Sequence, residues 1–305
     1  MNPPLTATPP AQIDSLMLGE LQCWRIRHAD AELLISQQGA QVLSYRRREQ
    51  PPLIWLSEDA TYQRGQSVRG GVPVCWPWFG DLGRNPPAVQ ALLAEPSGAA
   101  FHGGVRTLDW QLLAIEPDAE GVSLQFACPP PASAASWPAA LELQLSIRLD
   151  QRLRISLTSR NRGSTPLTIS QALHSYFAVS DIQQVEVEGL DDCRYIETLE
   201  DWQPRQQQGP LRFSGETDRI YQALPARLSI RDPGWQRRVC LQSHGSRSAV
   251  LWNPWIDKAA RLSSFAPDAW QRMLCIETAN VWDDCCQLAP GASHSLGLTL
   301  WSEPL

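Results

Sequence analysis

The run Leu141-Glu142-Leu143-Gln144-Leu145-Ser146-Ile147-Arg148-Leu149 resumes, past Asp150-Gln151, as Arg152-Leu153-Arg154-Ile155-Ser156-Leu157-Thr158. Aliphatic residues hold every second position, with polar residues between them. Successive side chains of a strand point to opposite faces, so a period of two buries one face and wets the other. On a helix the same leucines would be spread around the whole circumference. The pattern therefore predicts a β-hairpin. Its style recurs in short runs at Val122, Leu124 and Phe126, at Val185 and Val187, and at His294, Leu296, Leu298 and Leu300. Asp232-Pro233-Gly234 supplies turn chemistry between the apolar runs at Leu228 to Ile230 and Val239 to Leu241. Helical signals are confined to Ala88 to Ala94 and Asp268 to Arg272, each too short to organise a domain. With 25 prolines and 19 glycines as punctuation, the expectation is an all-β chain of packed antiparallel sheets. The proline-rich stretch from Pro129 to Pro138 reads as a loop between strands.

Length and composition exclude several classes. A chain of 305 residues with 43% hydrophobic content can bury a large core, which argues against a fibrous or disordered protein. No apolar stretch approaches the ~18 residues of a membrane-spanning helix. Met1 to Gln12 is rich in Pro, Thr and Ala and lacks the basic and apolar regions of a signal peptide, so residues 1–12 are expected to be a disordered tail on a cytoplasmic protein. The cysteines include no CxxC pair, and adjacent Cys285-Cys286 is poorly placed for a disulfide. They read as reduced, mostly buried small hydrophobes. A formal charge of −6 argues against nucleic acid or an anionic membrane as partner, and an anionic small substrate would need a local positive patch. Lys258 is the only lysine; the arginine bias this implies is explained by codon usage without any binding need.

Four segments carry candidate chemistry. Arg69-Gly70-Gly71-Val72-Pro73-Val74-Cys75-Trp76-Pro77-Trp78-Phe79-Gly80 combines glycines that allow close backbone approach with aromatic faces that suit a sugar ring; an aromatic-capped core turn would use the same residues. His102-Gly103-Gly104-Val105-Arg106 can present an imidazole and a guanidinium to one ligand, or be an ordinary loop. His174, in Leu173-His174-Ser175-Tyr176-Phe177, sits in an apolar, aromatic strand, where a histidine is either a satisfied core group or a catalytic one. Glu277, in Met273-Leu274-Cys275-Ile276-Glu277-Thr278, is a carboxylate amid a buried strand and must be paired, hydrogen-bonded or protonated; a structural salt bridge to an arginine is the alternative. Asp218 is a weaker polar candidate whose plain reading is a turn residue. The Arg46-Arg47-Arg48 run offers either a second anion site or a solvated strand end.

Taken in order, these segments together with Thr217-Asp218-Arg219-Ile220-Tyr221, Trp252-Asn253-Pro254-Trp255, Cys275-Ile276-Glu277 and Leu288-Ala289-Pro290-Gly291 resemble the hexose-6-phosphate mutarotase family, or glucose-6-phosphate 1-epimerases, within the aldose 1-epimerase superfamily. The resemblance runs from about Leu21 to the C-terminus, so residues 13–305 are expected to be one domain. It implies a galactose-mutarotase-like β-sandwich, a monomer with no metal or organic cofactor, and a hexose 6-phosphate substrate. By the same resemblance His174 and Glu277 are catalytic, while Arg69, His102, Arg106 and Asp218 bind substrate. One departure stands out: the family's His-Gly-Phe-Ala-Arg reads here with Gly104 and Val105 in place of Phe-Ala, which bears on the pocket wall. The implied chemistry is ring opening, with Glu277 as base on the C1 hydroxyl and His174 as acid on the ring oxygen. A close Glu277–His174 pair is expected to keep both ionised by mutual attraction. Two other classes fit the same surface: a non-catalytic carbohydrate-binding or regulatory module, and a glycoside hydrolase. The hydrolase needs a second carboxylate, for which Asp218 is the contender.

Overall fold

The computed structural model describes residues 11–95, 98–133 and 136–305. Residues 1–10 of the expected tail lie outside the described residues, and Gln12, the last of that stretch, opens the first strand, Gln12–Leu18.

The hairpin forms as the alternation dictates. Leu141–Leu149 pairs antiparallel with Leu153–Asn161, Leu145 opposite Leu157 and Leu149 opposite Leu153. Their aliphatic side chains are buried and the residues between them face water or lie half-buried. Each such side chain contributes roughly 1.5–3 kcal/mol on burial. A one-residue slip would turn all of them outward, so the register is strongly specified. These two strands lie inside a nine-stranded sheet that runs from Leu211–Arg212 at one edge to Gln111–Pro117 at the other. Ser293–Pro304, Arg237–His244 and Arg227–Asp232 extend it, the last two joined through the turn that Asp232-Pro233-Gly234 predicts.

An eight-stranded sheet forms the second large layer. Its centre is Met273–Asn280, flanked by Ser248–Asn253 on one side and by Gln171–Leu173 and Tyr176–Ala178 on the other. Thr217–Gln222 continues it outward. One buried apolar cluster draws Leu145, Ile155 and Leu298 from the nine-stranded sheet and Leu173, Leu251, Leu274 and Ile276 from this one, so the two sheets pack face to face as a β-sandwich. A four-stranded N-terminal sheet, Gln12–Leu18 to Val42–Arg47, adds Leu33, Ile35 and Tyr45 to the same cluster.

Helices are as scarce as expected and shorter. The Ala88 to Ala94 signal becomes a single turn, Pro87–Gln90, and Asp268 to Arg272 a 3-10 turn, Ala269–Arg272. A further short helix, Trp255–Ala259, carries no such signal in the sequence. Described residues between Pro129 and Pro138 form the loop expected of them.

Every residue of Met273–Asn280 is buried, on both faces. Leu274 and Ile276 point into the sandwich, whereas Glu277 and Ala279 point to the far side, where loops close over the sheet. That far side holds the functional site.

Candidate active site

Arg69, His102, Arg106, His174, Asp218 and Glu277 all line one cavity of about 740 Å³ on the outer face of the eight-stranded sheet. The chain delivers them by different devices. Glu277 is held mid-strand opposite Val250, and Asp218 stands opposite Trp252 on the next strand but one. His174 is not within a continuous strand, as its sequence context suggested. It occupies the break between Gln171–Leu173 and Tyr176–Ala178, where its own N–H donates to the Pro73 carbonyl at 2.9 Å. That break turns the imidazole toward the cavity. Stacking on Tyr176, 4.9 Å away and within 13° of parallel, fixes the plane of the ring.

The two glycine pairs place the arginines. Gly70 and Gly71 have φ of 101° and 73°, and a Cβ at Gly71 would lie 2.3 Å from the Val42 carbonyl oxygen. Only glycine permits that approach, which carries Arg69 over the sheet edge. At Gly103 an added Cβ would meet the Trp76 carbonyl oxygen at 1.9 Å, which pins the second loop against the first. His102 Nδ1 accepts the Gly80 N–H at 3.1 Å, so the neutral ring carries its proton on Nε2. The His102 ring lies 5.3 Å from that of His174. Arg106 donates through Nη2 to the Phe101 carbonyl at 2.6 Å, leaving Nε buried without a partner.

Gly104 answers the question its departure raised. The Trp137 ring lies against it, Cζ3 being 2.9 Å from where a Cβ would stand, and Trp137 packs edge-on to Trp76 at 5.6 Å. The missing aromatic is thus replaced from the proline-rich loop, and the wall behind the motif stays filled.

His174 Nε2 lies 3.3 Å from Glu277 Oε1, with the two residues only 8% and 2% exposed. His174 Nδ1 and Glu277 Oε2 are buried with no hydrogen-bond partner. Burial therefore dominates both groups. It raises the Glu277 carboxyl well above the usual carboxylate range, with Asp218 adding to the rise and Arg106 opposing it. It pushes the His174 imidazole down to about 3, and the charges of Arg106 and Arg69 reinforce the fall. Burial thus works against the mutual ionisation expected of the pair, raising the carboxyl and lowering the imidazole although the two side chains are close. Asp218 is raised to about 6, by burial first, against the pull of the Lys258 ammonium. His102 is held well below its ordinary value by burial and by neighbouring His174 and arginine charge.

Not every candidate reaches the site. Arg46 pairs with Glu32 at 2.8 Å and Arg47 with Asp30, so neither is a free anion site. Conversely, Lys258 was visible as the chain's only lysine yet passed over. It lines the cavity from the Trp255–Ala259 helix, pairs with Glu216 at 3.0 Å and sits 6.0 Å from the Trp252 ring centre. Tyr176 and Trp252, both within quoted motifs, also line it, as do Trp202 and Trp282, whose local sequence does not distinguish them from core aromatics. His174, Cys275 and Glu277 bring nitrogen, sulfur and oxygen donors within 4.8 Å of one another, the trio among the described residues best able to hold a metal ion. Its thiol is fully buried, and its other two members are the side chains that meet at 3.3 Å.

The sequence model of the family Aldose 1-epimerase matches residues 22–301. A provisionally named glucose-6-phosphate 1-epimerase of Escherichia coli is 32% identical over 264 residues, 86% of this chain and 84% of its own. A relative of the same provisional name from Cenchrus ciliaris is 30% identical over 80% of this chain and 73% of its own. Among solved structures, a provisionally assigned mutarotase from Salmonella typhimurium superposes with a TM-score of 0.85 at 28% identity, covering 96% of this chain and 94% of that one. The galactose 1-epimerase from Lactobacillus acidophilus superposes at 0.70 with 12% identity, covering 96% and 98%, a likeness of fold alone. The expected galactose-mutarotase-like architecture is the one observed.

Proposed function

Because this chain belongs to the aldose 1-epimerase family, we propose that it interconverts the α and β anomers of a hexose 6-phosphate, with Glu277 and His174 moving the protons. The observation that carries this reading is the 3.3 Å contact between those two side chains on the wall of a cavity that also presents Arg69 and Arg106. The names of the relatives, glucose-6-phosphate 1-epimerases, favour the phosphorylated sugar.

The pair holds a single exchangeable proton. Burial favours that proton on Glu277, since it raises the carboxyl and lowers the imidazole. A bound sugar changes the balance by supplying the hydrogen bonds the cavity lacks. The C1 hydroxyl donates to the Glu277 carboxylate, and the ring oxygen accepts from the His174 imidazolium, each bond favouring the ionised form. The proton therefore crosses the short contact to His174 as substrate settles. Glu277 then takes the C1 hydroxyl proton while His174 protonates the ring oxygen, and the C1–O5 bond breaks to leave the open-chain aldehyde. Rotation about C1–C2 presents the other carbonyl face. Closure runs the same transfers backwards and restores the ion pair, so no group is oxidised and no covalent intermediate is needed.

Arg69 and Arg106 would hold the phosphate through charge-assisted bonds, creating the local positive patch that a chain of net charge −6 otherwise lacks. Asp218 and His102 would hold sugar hydroxyls. We further read the protein as a cytoplasmic monomer. All eight cysteines are free thiols, which favours a reducing compartment, and no helix among the described residues is long and apolar enough to cross a membrane.

Exchange NMR on the anomers of glucose 6-phosphate, beside galactose 6-phosphate and glucose, tests the proposal. Enhanced exchange of a phosphorylated hexose is expected; no enhancement on either phosphate would overturn it.

A further inference from the structure

Cys275 stands two residues before Glu277 on Met273–Asn280, so strand alternation points both side chains to the outer face of the sheet. Its partner on the neighbouring strand is Tyr176, whose ring carries the stacked imidazole of His174. Thiol, carboxyl and imidazole therefore converge, and one donor atom from each lies within 4.8 Å of the other two. Proton transfer by Glu277 and His174 leaves Cys275 without a task, although it is a free thiol and fully buried beside them.

Three observations fit this trio to a metal ion. Donors no more than 4.8 Å apart leave a point within about 2.8 Å of all three, and zinc bonds of ~2.0–2.3 Å are reached from there by small side-chain rotations. Two of the donors already stand at the required spacing. Bonds of ~2.0–2.1 Å at a tetrahedral angle put a nitrogen and an oxygen ~3.4 Å apart, and His174 Nε2 lies 3.3 Å from Glu277 Oε1. Thirdly, His174 Nδ1 and Glu277 Oε2 are buried with no hydrogen-bond partner among the described residues, on side chains that are themselves more than nine-tenths buried. No hydrogen bond through those atoms holds either group away from an ion, and a carboxylate with a free second oxygen can turn either oxygen to it. Charge is no obstacle, since a thiolate and a carboxylate together cancel a divalent charge and leave Arg69 and Arg106 nothing to repel.

We propose that His174, Cys275 and Glu277 form a zinc site, and that zinc bound there switches anomer exchange off. A nitrogen, sulfur and oxygen donor set selects zinc over magnesium or calcium, which take oxygen ligands. Three protein ligands leave the fourth tetrahedral position open, and because His174 and Glu277 line the cavity the ion enters and leaves through it. As the ion binds, zinc–nitrogen, zinc–sulfur and zinc–oxygen bonds form, while the Cys275 thiol proton and the single proton of the His174–Glu277 pair pass to water. Nothing is oxidised. The ion then occupies the lone pairs with which Glu277 and His174 take and pass protons, so ring opening stops. The inhibition rests on the assignment of proton transfer to those two residues; the site itself rests on the donor geometry.

Calorimetric titration with zinc chloride, beside glucose 6-phosphate exchange at the same zinc concentrations, tests the site. Exchange is expected to be lost as the site fills, to recover on adding a chelator, and to be protected by saturating glucose 6-phosphate. Magnesium chloride should neither bind nor inhibit. Cys275→Ser should exchange anomers as the unaltered enzyme does while its zinc affinity falls at least about tenfold, since losing even an outer partner of a metal ligand weakens binding by about 10–100-fold. Cobalt(II) supplies a second reading that needs no variant, a thiolate-to-cobalt absorption band that glucose 6-phosphate displaces. No zinc binding, a zinc affinity indifferent to Cys275→Ser, or a cobalt band indifferent to the sugar phosphate would overturn the site. Zinc held through Cys275 with exchange undiminished would overturn the inhibition. Absence of exchange in the zinc-free enzyme is a separate result: it would overturn the roles given to His174 and Glu277, and calorimetry would still decide the site.

Discussion

Nε2 of His174 and Oε1 of Glu277 meet at 3.3 Å on the outer face of a sheet whose inner face is packed solid. The imidazole comes from a break in one strand and the carboxyl from the unbroken middle of its neighbour. Burial disfavours both charges, raising the carboxyl and lowering the imidazole. Each also keeps one buried polar atom without a hydrogen bond, which a bound sugar can satisfy.

Glu277→Gln removes the base while keeping the shape. Exchange is expected to fall by about 10²–10⁴. The thermal melt at neutral pH should change little, because the amide keeps the carboxyl's shape and burial disfavours the charge it removes. Near-normal exchange in this variant would refute the role given to Glu277.

His174 links stability to acid. Its folded-state value of about 3 lies below the ordinary 6.5, so the unfolded chain binds more protons between those limits. The contribution is present above pH 6.5 and is lost as the pH falls through about 3. His174→Gln cannot titrate, so urea unfolding of the variant from pH 7 to 3 should show a flatter acid limb than the unaltered protein. Identical limbs would rule the linkage out.

Asp218 sets a second pH dependence, on binding. Its carboxyl is raised to about 6, so substrate affinity that uses the carboxylate should strengthen as pH rises through that value, seen as a falling KM. Lys258→Gln removes the ammonium that opposes the rise and should move this limb to higher pH. A KM flat between pH 5 and 7 would remove Asp218 from the binding site.

The proposed phosphate clamp can be tested apart from the proposed acid/base pair. Arg69→Gln loses hydrogen bonds to a charged group, each worth ~1.5–3 kcal/mol, so KM for glucose 6-phosphate should rise about tenfold to a hundredfold. Glucose, lacking the phosphate, should be turned over as before. Equal losses on both sugars would contradict the clamp.

Gly104→Phe restores the family's residue type but meets the Trp137 ring. Overpacking should destabilise the fold by ~1–3 kcal/mol. The double variant Gly104→Phe with Trp137→Ala should recover much of the loss, which denaturant titration of both singles and the double would measure. Additive losses would mean that the two aromatics do not share one space.

The architecture was legible wherever one face of a strand meets water. Leu141 to Leu157 announced its register because the alternation is local and complete. Met273–Asn280 did not, since burial on both faces leaves an apolar run with one carboxylate in it and no period to read. The site residues were legible as motifs, through resemblance. Lys258, Trp202 and Trp282 were not, because an aromatic on a cavity wall and one in a core have the same local sequence.

The sequence by itself determined an antiparallel β chain, because alternation is a property of neighbours in the chain. Its motifs, through resemblance to a family, picked out the candidate site residues and the departure at Gly104. Only the tertiary structure decided that Trp137 fills the space beside Gly104 and that the candidate residues from distant segments line one cavity. Proximity favours an ion pair between His174 and Glu277, and burial by distant segments opposes it, because the free energy of a charge depends on everything packed around it and not on the residues beside it in sequence.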